Sequence, residues 1–172
     1  MERGKFPGMK ALILVHLSSL DNYAEFSFDA TGVYDQAWRL AERIAKAAHE
    51  FAGPLYIVDQ NWKFLGEKND EPRQWLWNEL EVRPDAVWIH FDEDYQDWKV
   101  FLPKFLKRLK KDKITQAVMG GVWHDPSLKV GCVTTTYLYL KMNGIKARVD
   151  RALVGCETDY GPEGDPNFLF RK

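Results

Sequence analysis

The sequence predicts an α/β fold, a three-layer α/β/α sandwich around a mainly parallel sheet of five or six strands. Three observations carry this. Segments 10–16 (KALILVH), 54–59 (PLYIVD), 85–91 (DAVWIHF) and 115–122 (TQAVMGGV) are near-continuous apolar runs rather than alternating ones. A strand reads that way when both faces of its sheet are covered. The stretches between these runs are long enough to lay a helix across the sheet, which parallel pairing requires. Finally, 172 residues at 45% hydrophobic content suit a single domain with a well-buried core.

Taken in order, residues 1–9 form a loose leader and 10–16 the first strand. A polar and aromatic loop over 17–32 follows. Residues 33–51 form a helix, because Tyr34, Ala37, Trp38, Ala41, Ile44, Ala45, Ala48 and Phe51 fall on one stripe at spacings of three and four. Gly53-Pro54 ends that unit, and 54–59 is the second strand. After a loop, Asp70 and Pro72 open a short helix over 72–80. The third strand, 85–91, leads through an acidic loop (92–97) to a helix ending at Lys111. Its apolar face is Leu102, Phe105, Leu106 and Leu109, and Pro103 must lie near its start or bend it. The fourth strand, 115–122, a bend, and a helix over 132–143 stopped by Gly144 come next. A fifth strand covers 146–154, and an irregular tail, 155–172, closes a single domain spanning 1–172.

Charge and composition exclude several classes. A net charge of −1, with no basic excess, argues against nucleic acid as a partner. The apolar run 11–15 is far too short to span a membrane or serve as a signal core. Cys132 and Cys156 give no disulfide framework, so the expected compartment is cytoplasmic. The expected partner is a small-molecule substrate.

The chemistry concentrates where the strands end. Cys132 opens a helix, where backbone N–H groups and the helix dipole favour negative charge on sulfur. His16, His90 and His124 close strands at their carboxyl ends, and Asp59 closes another. Ligands in such sheets bind outside those ends. His49, late in the first helix, is read as a surface residue. Three readings follow. A histidine serves Cys132 as general base, with no cofactor required. Alternatively two or three of the strand-end histidines, His124 among them, with Asp59 or Asp125 hold a divalent, zinc-like metal that activates water in a metal-dependent hydrolase, although no established ligand spacing is present. In the third, the histidines are hydrogen-bonded strand ends without chemistry.

Cys132-Val133-x-x-Thr136, with Gly144 twelve residues after the cysteine and Gly121-Val122 ahead of it, resembles the nucleophile helix of the isochorismatase-like cysteine hydrolases. The resemblance runs over about 10–154, and it implies the three-layer fold and a hydrolase acting on a small amide, ester or enol-ether substrate. It also implies a homo-oligomer, often a dimer. That superfamily carries an Asp base at the end of the first strand, where this chain has His16, and a Lys after the third, where it has His90 and later Lys99. Cys132, His16, His90 and Lys99 are therefore the catalytic candidates. Tyr23, Trp62, Trp123 and His124 are the candidates for stacking on or binding substrate. Where nicotinamidases bind metal through Asp-x-His, this chain reads Asp59-Gln60-Asn61. A non-catalytic binding protein on the same scaffold is the remaining alternative. Trp75, Trp77, Trp98 and Trp123 are expected to bury subunit contacts.

Overall fold

The computed structural model describes residues 8–20, 33–59, 72–91, 98–122, 124 and 131–155. Five strands alternate with helices: β1 (Met9–Val15), α1 (Val33–Glu50), β2 (Leu55–Asp59), α2 (Pro72–Glu81), β3 (Val87–His90), α3 (Trp98–Lys111), β4 (Ile114–Gly121), α4 (Cys132–Met142) and β5 (Lys146–Val154). The strands form one sheet in the order β3-β2-β1-β4-β5, and every pairing is parallel. The expected α/β class and parallel sheet are thus observed.

Successive side chains of a strand point to opposite faces, and both faces of this sheet are covered. Leu12, Leu14, Leu55, Ile57, Val118 and Leu153 pack under α1 and α2. Ala11, Ile13, Val15, Tyr56, Val58 and Met119 pack under α3 and α4. This is why β1 and β2 carry no alternating pattern: Ala11–Val15 and Leu55–Asp59 are buried throughout. The stripe read in α1 is its buried face, with Ala37, Ala41, Ile44, Ala45 and Ala48 at most 3% exposed. Arg83 finishes that helix by donating to the carbonyls of Ala48 and Phe51 at 2.5 and 3.0 Å, which satisfies acceptors that a helix end leaves open. Pro103 sits inside α3, on its exposed side.

The tryptophans of α2 both meet aromatic rings of neighbouring elements. Trp77 is buried, with its ring 4.5 Å from that of Trp88 on β3. Trp75 packs 5.8 Å from Trp38 of α1. Trp77 is thus covered within the domain, while Trp75 stays half-buried. Trp123 and the side chain of Trp98 lie outside the described residues. No helix among the described residues is long and apolar enough to cross a membrane.

Candidate functional site

β1 and β4 lie side by side at the centre of the sheet, and the chain order reverses between them, with β2 and β3 on one flank and β5 on the other. Such a switch point opens a crevice at the carboxyl ends of the strands. Here the two strand ends are clamped together. Val15 pairs with Gly121, and Val122 N–H donates to the Val15 carbonyl at 3.0 Å. Gly121 has φ +130°, and a Cβ there would sit 2.0 Å from the Val15 oxygen. Only glycine permits that approach.

The backbone turns sharply at His16. Its N–H still continues the sheet, donating to the Val58 carbonyl at 2.8 Å. Its dihedrals, φ 58° and ψ 44°, are left-handed, a conformation that costs an L-residue roughly 1–2 kcal/mol. A short 3-10 turn, Leu17–Ser19, follows at once. Residues held in such sparsely populated backbone conformations cluster at active sites, ligand clamps and switch regions.

The turn sets the His16 ring between two partners. Nδ1 lies 3.0 Å from Cys132 Sγ, and Nε2 lies 3.0 Å from Ser19 Oγ. Phe91, just beyond β3, meets the ring edge-on at 5.8 Å. His16 is 3% exposed, and burial lowers its pKa from 6.5 to about 4, so the imidazole is neutral at physiological pH. Cys132 is the first residue of α4 behind Gly131, whose φ of 94° lets the chain enter the helix abruptly. The first intrahelical bond runs from Thr135 N–H to Gly131 O at 2.8 Å. The thiol thus lies at the positive end of a helix dipole, against a neutral imidazole. This arrangement can activate a nucleophile.

Asp59 supports the turn. Fully buried at the end of β2, its carboxylate accepts the Ser18 backbone N–H at 2.9 Å and the Ser18 hydroxyl at 2.5 Å. Ser18 thereby ties the turn to β2, while Ser19 contacts the His16 ring. His124 is also buried, with Nδ1 2.9 Å from Thr134 Oγ1 in the first turn of α4. Its N–H donates to the Gly155 carbonyl at 2.9 Å.

The structure therefore brings His16 and Cys132 into hydrogen-bonding contact and leaves two other catalytic candidates outside it. His90 ends β3 exposed, two strands from β1, a separation of about 10 Å. Lys99 is exposed in the first turn of α3. Tyr23, Trp62, Trp123 and Asp125 lie outside the described residues. Of the expected metal ligands, Asp59 is engaged with Ser18 and His124 with Thr134. Among the described residues no group of three His, Cys, Asp or Glu side chains is arranged to hold a metal ion. Sequence reading missed Ser19, Phe91 and Thr134. Ser19 was detectable in principle, as a hydroxyl three residues after a strand-end histidine. No protein-family model matches the chain, and no curated protein matches it significantly.

Proposed function

We propose that the chain is a cysteine-dependent hydrolase of the isochorismatase-like kind, acting on a small amide, ester or enol-ether substrate with no cofactor required. The observation that supports this reading is the 3.0 Å separation of His16 Nδ1 and Cys132 Sγ at the switch point of the sheet. In the general-base tautomer, Nε2 carries the proton and donates to Ser19 Oγ, and Nδ1 accepts from the thiol.

On an acyl substrate the thiol proton passes to Nδ1 as sulfur forms a bond to the carbonyl carbon. The resulting oxyanion is received by backbone N–H groups of the first turn of α4, which point toward that end of the helix. The imidazolium then protonates the leaving amine or alcohol as its bond to carbon breaks, giving a thioester. Water attacks the thioester, His16 takes the water proton, and that proton returns to sulfur as the acid departs. Burial disfavours a resting ion pair in this site, so proton transfer accompanies attack rather than preceding it.

Alkylation by iodoacetamide, mapped to Cys132 by peptide mass spectrometry to separate it from Cys156, tests this without a known substrate. Cys132 is expected to react well below the pH at which an ordinary thiol, with a pKa of about 8.5, becomes reactive, and His16→Asn is expected to abolish that advantage. Alkylation that follows an ordinary thiol titration and is unchanged in His16→Asn overturns the proposal.

A further inference from the structure

The rim opposite the dyad, at the amino ends of the strands, carries a second concave feature. A cavity of about 450 Å³ there is lined by Lys10, Gln116, Lys141, Gly144, Lys146 and Arg148, together with apolar backbone neighbours and no carboxylate. This is within the size range of small-ligand sites. Lys10, Gln116 and Lys146 are register partners on β1, β4 and β5, so their side chains leave the same face of the sheet in one row. Arg148 lies two residues beyond Lys146 on that face.

Four cationic residues thus line one concavity in a chain whose net charge is −1, Lys10, Lys146 and Arg148 from one face of the sheet and Lys141 from the end of α4, which covers the other. Two of them have local reasons for their positions. Lys141 is in the last turn of α4, where cations are favoured, and stands over the Tyr137 ring at 5.6 Å. Arg148 makes a loose pair with Asp150 at 3.6 Å. Lys10 and Lys146 have no acidic partner among the described residues. Nor does edge protection explain Lys10, because β1 is the central strand. The cavity is also open at the α4–β5 turn, where a Cβ on Gly144 would meet nothing within 4 Å.

We propose that this cavity binds a small anion built of linked phosphate groups. Grouped cations repel one another unless a counter-charge sits among them. The guanidinium of Arg148 offers a planar pair of donors suited to phosphate oxygens, and the Gln116 amide adds a neutral donor between two ammonium groups. The stems of Lys10 and Lys146 start two strand spacings apart, about 10 Å, a span that a phosphate chain bridges better than one tetrahedral ion.

Calorimetric titration of the full chain with inorganic tripolyphosphate, and in parallel with orthophosphate, tests the site. The informative variant is Lys10→Gln with Lys146→Gln. Lys104→Gln with Lys107→Gln, two exposed changes on α3, controls for net charge, and circular dichroism confirms folding of each. The expected result is saturable binding of tripolyphosphate, tighter than orthophosphate and weakened by rising salt. The first variant should lose about tenfold or more in affinity and the control less than about twofold. No saturable binding at millimolar concentration, or equal losses in both variants, overturns the proposal. A single-stranded oligonucleotide that displaces tripolyphosphate and binds more tightly through the same two lysines also overturns it, in favour of a nucleic-acid surface.

Discussion

Ser19 Oγ and Cys132 Sγ hold opposite nitrogens of the His16 ring, each at 3.0 Å. The hydroxyl can donate or accept, so it can partner Nε2 in either tautomer of the ring. When Nε2–H donates to Ser19, Nδ1 is the acceptor, and proton transfer from sulfur requires no change of tautomer.

Ser19→Ala removes that partner while leaving Cys132 and His16 in place. The loss of one such hydrogen bond, about 1 kcal/mol, corresponds to a fall of roughly fivefold in the alkylation rate of Cys132. The pH profile should change shape as well as height. Ser19→Thr, which keeps the hydroxyl, should restore the profile, whereas a merely structural role would leave the shape alone.

The buried neutral His16 makes stability depend on pH. Its pKa is about 4 in the folded chain against 6.5 for the exposed group, so the unfolded state binds more protons between those values. The stabilisation is complete above 6.5 and is lost as pH falls toward 4, to a total of about 3 kcal/mol. Urea midpoints measured at neutral pH and just above pH 4 should differ more for the wild type than for His16→Asn, because Asn tolerates the left-handed backbone and does not titrate. Equal differences in the two proteins would contradict this.

Asp59→Ala leaves the buried Ser18 N–H and hydroxyl without their carboxylate. The expected cost is about 2–4 kcal/mol by chemical denaturation. A slower alkylation of Cys132 should accompany it, because the turn that carries Ser19 loses its anchor. A variant that is destabilised but reacts at the wild-type rate would separate the turn from the dyad.

Gly121→Ala and Gly144→Ala form a matched pair. Both glycines have positive φ, +130° and +89°. The first would drive a Cβ to 2.0 Å from the Val15 carbonyl oxygen, whereas the second meets nothing within 4 Å. Gly144→Ala should cost about 1 kcal/mol, the backbone term alone. Gly121→Ala should cost about 3 kcal/mol or more, since two central strands must move apart. Comparable melting temperatures for the two variants would show that the strand ends yield.

The layers of this fold were readable because buried parallel strands and helix stripes are statements about burial, which local sequence records directly. β5 spans Lys146–Val154 as read, and α1 presents the stripe the spacing predicts. The placement of His16 and Cys132 on one rim follows from strand-end positions. What sequence position alone does not convey is distance along that rim. His90 ends a strand just as His16 does, yet β3 is at the sheet edge while β1 is central. The Ser19 contact depends on a left-handed residue at His16, a conformation that no neighbouring glycine or proline announces. The cover over Trp75 and Trp77 depends on Trp38 and Trp88 arriving from other elements, which helical spacing within α2 does not reveal.

The central position of β1 also has a consequence for biosynthesis. The strand that delivers His16 is made before the other four, and its neighbour β4 and the helix carrying Cys132 follow only after three crossovers. The two side chains that meet are 116 residues apart in sequence. Until β4 is made, β1 has one unsatisfied edge and an apolar face with no cover from α4, a state prone to self-association. A chain ended after Lys113 is expected to aggregate rather than persist as a smaller folded unit, which light scattering of that fragment would show. The hydrogen bond between imidazole and thiol thus comes into being only when β4 and the helix that follows it have joined the sheet.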